Sequence, residues 1–146
     1  ISLDQYRRFA LPYLNKVKER IHSAGGLCLY HQNEPRTEYI KTSAEVLEKG
    51  HDAINIGQYA DIDDVFATLG DSICLTGGIE PMDLLPEQKN TSMVVVREQI
   101  EKTVNRLIRS YSQRGFILNS AGQIPVETDE ELIKLIIKTV RENNKE

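Results

Sequence analysis

Apolar residues along this chain gather into four short runs, each tipped with polar residues and each leading into a stretch with helical spacing. The runs cover residues 26–31, 53–58, 72–78 and 115–120. The first is apolar until Tyr30 and His31, and such continuous apolar runs predict burial on both faces, as in parallel sheets. Strands are expected at 26–31, 53–57, 72–76 and 115–119.

Between them the pattern changes to a period near 3.6. Leu3, Tyr6, Phe9, Ala10, Leu14, Val17 and Ile21 share one face, so a helix is expected over 2–23, capped by Ser2 or Asp4 and interrupted near Pro12. Ala24-Gly25-Gly26 stops it. A second helix opens at Pro35-Arg36-Thr37 and runs to Lys49, with Ile40, Ala44 and Leu47 inward and Gly50 closing it. Asp61 caps a short helix through Leu69. Gly77-Gly78-Ile79-Glu80-Pro81 reads as a tight loop. A polar link then precedes a helix of about 20 residues with Val96, Ile100, Val104, Leu107, Ile108 and Tyr111 on one face. Thr128 and Glu131 form a capping box that opens the last helix, with Leu132, Leu135, Ile136 and Val140 inward.

The resulting order is α-β-α-β-α-β-α-β-α. Right-handed crossovers turn it into a parallel sheet flanked by helices. Such a sheet closes into a barrel when four more strands are supplied, or stays open and doubly wound. No Gly-x-Gly-x-x-Gly and no Gly-x4-Gly-Lys-Ser/Thr follows a strand, so an open nucleotide-binding sheet lacks its phosphate cradle.

Composition narrows the class. The 146 residues are 40% hydrophobic and 27% charged, with a net charge of −4, as in a globular domain with a real core. No Lys/Arg run is long, which argues against nucleic acid. No apolar stretch nears the ~20 residues of a membrane span. Cys28 and Cys74 lie inside strand runs, lack metal-ligand spacing and read as reduced core thiols, which places the protein in the cytoplasm by default. The chain opens at Ile1 without an initiator Met, so residues 1–146 are expected to be a single partial barrel domain of a longer chain.

The ordered motifs resemble the C-terminal half of the uroporphyrinogen decarboxylase superfamily. They are Leu11-Pro12-Tyr13, then Gly26-Leu27-Cys28-Leu29-Tyr30-His31, then residues 57–61, then Gly70-Asp71 ahead of Thr76-Gly77-Gly78-Ile79-Glu80-Pro81 and Leu84-Leu85. The last is Gly115-Phe116-Ile117-Leu118-Asn119-Ser120-Ala121-Gly122-Gln123-Ile124-Pro125 with Thr128. The resemblance implies an α/β fold, the C-terminal half of a (β/α)8 barrel with four parallel strands alternating with helices.

One branch of that superfamily decarboxylates a tetrapyrrole. Another, similar to methylcobalamin:coenzyme M and corrinoid methyltransferases, moves methyl groups and often uses zinc. The zinc enzymes carry His-x-Cys after the strand matching residues 26–31 and a second Cys after the strand matching 115–119. Here His31 holds the His position, while Asn33 and Gly122 stand where the cysteines would be. The decarboxylase branch has a histidine near Gly122, which this chain lacks. The surroundings of His31 and residues 77–81 look closer to the methyltransferase branch.

Polar residues at strand ends are where barrel chemistry sits. His31 is the leading catalytic candidate and the one candidate metal ligand. Glu80 is a candidate general acid/base. Asn33, Gln58, Gly77, Gly78, Asn119 and Gln123 are candidate substrate contacts, the glycines through close backbone approach. Glu34 could orient His31, and Asp61 reads as a helix cap. Ser120 has no His/Asp pattern to make it a nucleophile. His22 and His51 lie near helix ends and are expected to face solvent.

The first expectation is an enzyme segment that moves a methyl group between a methylated donor and a corrinoid or thiol. It would take a small-molecule substrate, with zinc and a corrinoid-carrying protein as the cofactor and partner considered. The alternatives are a decarboxylase of the uroporphyrinogen type and a non-catalytic scaffold that has lost the zinc ligands. A half barrel standing alone exposes two sheet edges, so it would form a homodimer that completes the eight-stranded ring, or aggregate.

Overall fold

The computed structural model describes residues 1–32, 36–57, 60–70, 72–85 and 91–143. Four parallel strands, β1 (Leu29–His31), β2 (Ala53–Asn55), β3 (Cys74–Ile79) and β4 (Phe116–Ser120), lie in the order β1-β2-β3-β4. A doubly wound sheet needs a reversal of strand order to put helices on both faces. A strictly sequential order with right-handed crossovers puts every helix on one side, so the sheet is a barrel segment.

The helix-covered side holds the main core. Ile54, Leu75, Val65 and Leu107 are completely buried there, with Phe66 and Ile40 beside them. Burial of each such side chain stabilises the fold by roughly 1.5–3 kcal/mol. On the other side Leu29 is 61% and Ile117 56% exposed. Burial on both faces, as the apolar runs predict, is therefore wrong for the inner face of β1 and β4. Side chains alternate across a strand, and four strands cannot cover an inner face that needs a whole barrel.

The N-terminal helical stretch is two helices, α1 (Leu3–Phe9) and α2 (Leu11–Ser23). Ser2 caps α1: its hydroxyl accepts from the Gln5 N–H, and the Gln5 side chain accepts from the Ser2 N–H. Pro12 lacks an N–H and sits in the first turn of α2, where none is needed. The helix expected up to Lys49 is shorter, α3 (Thr37–Ala44), and the chain turns from there to Gly50 at φ +72°. Asp61 caps α4 (Ile62–Leu69) by accepting from the N–H groups of Asp63 and Asp64. The long helix α5 (Met93–Tyr111) buries Val96, Ile100, Val104, Leu107 and Tyr111, as the periodicity predicts.

Two local expectations need correction. Residues 77–79 are not a tight loop: β3 continues to Ile79 and a short 3-10 helix follows over Pro81–Leu84. Strand geometry here demands glycine. A Cβ on Gly77 (φ +138°) would lie 2.9 Å from the Ile56 carbonyl oxygen, and one on Gly78 (φ +101°) 2.7 Å from Leu107 Cδ1. The cap of α6 (Glu130–Asn143) is Asp129, which accepts from the Glu131 N–H at 2.8 Å, and not Thr128. A carboxylate one residue closer to the helix reaches the free N–H better than the Thr128 hydroxyl, which is buried without a partner among the described residues.

An aromatic cluster joins three elements. Phe66 of α4 stacks on Tyr111 of α5 at 3.8 Å between ring centroids, and Phe116 of β4 meets both edge-on. The Tyr111 hydroxyl donates to Asp63, which also pairs with Arg106 at 3.0 Å. The Tyr111 hydrogen bond, more than the Arg106 charge, holds the Asp63 carboxyl below its ordinary range, and burial together with Asp63 pushes Tyr111 up to about 12. No helix of the described residues is long and apolar enough to cross a membrane.

Candidate active site

Parallel strands end at a common rim, so the residues at their C-terminal ends come together whatever their separation in sequence. Strand register places His31 beside Asn55, Asn55 beside Thr76 and Thr76 beside Ile117. Paired residues of neighbouring strands share a face, about 4.8 Å apart per strand. One rung of the inner face therefore carries an imidazole, an amide and a hydroxyl. Asn119 lies one rung beyond Thr76 in the direction of the rim, paired with Gly78.

Asn55 is the residue of this rung with unused capacity. It is buried, and its Nδ2 donates to the Thr76 hydroxyl at 3.0 Å and to the Thr76 carbonyl at 3.3 Å. Its Oδ1 is buried without a hydrogen-bond partner among the described residues. A buried acceptor left unmet costs about 1–3 kcal/mol, a cost that a ligand N–H or O–H would remove. Sequence reading missed both Asn55 and Thr76. The available signal was an amide between Ile54 and Ile56, a polar side chain on the inner face of a strand whose other face is apolar.

Behind β1 lies a hydroxyl network that was also not foreseen. The Tyr6 hydroxyl lies 2.6 Å from that of Ser43 and 3.0 Å from that of Tyr30, and the Ser43 hydroxyl is 3.0 Å from Gln32 Oε1. Burial first, and then the Tyr6 hydroxyl, push the Tyr30 phenol well above its ordinary range, so it stays protonated as a donor. These groups come from α1, β1 and α3, and no sequence spacing brings them together. Gln32, the residue after His31, is buried in the network, which anchors the strand end that carries His31.

The sequence-predicted residues divide as follows. His31 is exposed at the end of edge strand β1, and Asn119 is exposed at the end of β4. Gln123 is exposed in the segment after β4, and Ser120 there is engaged with the Gly122 carbonyl at 2.5 Å. Gly77 and Gly78 are accounted for by the close contacts a Cβ would make. Glu80 does not join His31: it lines a cleft of about 250 Å³ on the helix side, with Asp83, Thr103 and Arg106. Asn33 and Gln58 lie outside the described residues.

A zinc–thiolate centre does not fit this rim. The chain has two cysteines, and both sit at the opposite ends of their strands, Cys28 just before β1 and Cys74 at the start of β3. Burial raises both thiols above their ordinary range, which disfavours the thiolate that a metal needs.

Comparison with known proteins agrees with this architecture. The chain is 32% identical over 146 residues to the uroporphyrinogen decarboxylase of Trichodesmium erythraeum, covering 97% of this chain and 37% of that protein. It is 27% identical over 150 residues to the uroporphyrinogen decarboxylase of Chlorobium luteolum, covering 99% and 39%. For the Gloeobacter violaceus protein of the same name the figures are 26% over 140 residues, 93% and 36%. The chain thus spans less than two fifths of the length of these relatives. The sequence profile of the uroporphyrinogen decarboxylase (URO-D) family matches residues 1–143. With four sequential parallel strands, an inner face exposed along β1 and β4 and a match across nearly every residue, the chain belongs to the uroporphyrinogen decarboxylase family.

Proposed function

We propose that this chain supplies the C-terminal part of a barrel decarboxylase acting on a substrate of the uroporphyrinogen kind. The observation that carries the reading is the likeness along almost the whole chain to relatives named uroporphyrinogen decarboxylase. The position of the thiols supports it over methyl transfer through zinc, because neither cysteine reaches the rim that holds His31.

Loss of CO2 leaves an electron pair on carbon that must take up a proton, and a positioned imidazole is suited to supply it. His31 is the imidazole of the rung, and Gly122 leaves no side chain to do this from the end of β4. Asn55 Oδ1 would accept from a substrate N–H, and Asn119 would donate to a substrate carboxylate. The exposed inner face of β1 and β4 requires further strands to enclose a substrate, from the same polypeptide or from a second copy.

The test is incubation of the full natural chain with uroporphyrinogen, followed by chromatography for stepwise carboxyl loss. A parallel assay offers methylcobalamin and a thiol. Decarboxylation that falls about 100- to 10,000-fold in His31→Ala supports the reading. Methyl transfer without decarboxylation overturns it.

A further inference from the structure

At the other end of the strands, away from the rim described above, three potential ligands converge. Asp52 precedes β2, His51 precedes it in the same turn, and His22 comes from the last turn of α2. Asp52 Oδ1 lies 2.7 Å from His22 Nε2 and 3.7 Å from His51 Nδ1, and the three ligand atoms all fall within 4.8 Å of one another. The two imidazoles meet edge-on, 4.9 Å between centroids. Of the two histidines expected to face solvent, His51 does, with its side chain 43% exposed, whereas His22 is largely covered, at 17%.

The surroundings are those of an oriented ligand set. A metal-binding imidazole usually gives its second N–H to a carboxylate, which fixes the ring. His22 Nδ1 lies 3.1 Å from Glu48 Oε2, on the opposite side of the ring from Asp52. Asp52 is itself held by two backbone donors, the N–H of Cys28 on Oδ1 at 2.9 Å and the N–H of Glu48 on Oδ2 at 2.8 Å. An ion bound at about 2.0–2.2 Å from nitrogen and oxygen sets its ligands slightly over 3 Å apart. The His22–Asp52 separation must therefore open by about half an ångström, and His51, on the exposed side, can swing in.

We propose that His22, His51 and Asp52 form a binding site for a divalent transition-metal ion of the zinc type, with Glu48 orienting His22. Two imidazoles and a carboxylate suit such an ion better than magnesium or calcium, which prefer all-oxygen sites. The fourth position is open to solvent. The ion joins the end of α2 to the turn before β2, across the N-terminal rim, where barrels place stability and not chemistry.

The test uses the full natural chain, stripped with a chelator and titrated calorimetrically with Zn2+, and in a second series with Co2+ read by its visible absorption. One ion per chain is expected, with cobalt bands of a four- or five-coordinate nitrogen/oxygen site and a rise in melting temperature on adding zinc. Because His51 is the outermost ligand, His51→Ala keeps the fold and loses the zinc-dependent rise. Glu48→Gln weakens binding about 10-fold or more, the usual effect of losing a partner that orients a ligand. Cys74→Ser binds as the parent does. Absence of zinc binding in the parent overturns the proposal, as does binding that His51→Ala leaves unchanged.

Discussion

Asp52 and Asn55 stand three residues apart around one short strand, at opposite rims of the same sheet, and their hydrogen bonding is opposite. Both Asp52 oxygens are met, by the Cys28 and Glu48 N–H groups and by His22. The Asn55 oxygen is met by nothing among the described residues. At the N-terminal rim polar groups are used on one another and lock helix to strand. At the C-terminal rim His31 and Asn119 are exposed and Asn55 retains an acceptor. The difference separates a rim whose polar groups tie helix to strand from one with an acceptor left over for a substrate.

The largest effect should come from breaking the closed rim. Asp52→Asn keeps the shape but turns an NH2 toward a backbone donor and removes the charge beside His22. It should cost about 3 kcal/mol in urea unfolding of metal-free protein. A loss below about 1 kcal/mol would mean that the rim is not a clamp. Next is Gly78→Ala in β3, where positive φ and the overlap with Leu107 should cost about 2 kcal/mol by the same measurement.

At the open rim the effects should fall on activity. His31→Ala should lower kcat/KM about 100- to 10,000-fold while the melting temperature stays near that of the parent, since the side chain is exposed. Asn55→Leu is the sharpest probe of the contrast. It keeps the branched shape and removes the unmet acceptor together with the hydrogen bonds given to Thr76, and these opposing changes should leave a net loss of no more than about 2 kcal/mol. KM should rise nonetheless. A strongly destabilised Asn55→Leu would show the amide to be structural, like Asp52.

The smallest effect is the pH dependence of the closed rim. Burial acts to raise the Asp52 carboxyl, but the Glu48 N–H, the His22 ring and the Cys28 N–H together hold it below its ordinary value of 3.8. A carboxyl lowered by folding contributes stability that is complete above its unfolded value and is lost as pH falls through the folded one. Acid unfolding below about pH 4 should therefore be less steep in Asp52→Asn than in the parent.

Much of the fold was legible because it is written locally. The 3.6 period marked the buried face of α5, Ser2 and Asp61 announced two helix starts, and the order of four apolar runs implied a parallel sheet. Local signals misled where a tertiary neighbour decided the outcome. Gly77 and Gly78 look like a turn, but the closeness of Ile56 and Leu107 makes them strand. Leu29 and Ile117 look like core, but no described residue covers the inner face of β1 and β4. Of the candidate site, His31 and Asn119 were visible as polar strand ends. Asn55 and Thr76 were not, because their importance rests on strand register, which pairs residues 21 positions apart.

Residue order thus determined the alternation of strand and helix, the helix caps and the family, since these depend on neighbours along the chain. Tertiary structure alone decided that the sheet is a barrel segment, that Glu80 lines a cleft with Thr103 and Arg106, and that His22, His51 and Asp52 meet. Those outcomes depend on which segments the hydrophobic core presses together, and that pressure acts across space and leaves no spacing in the sequence.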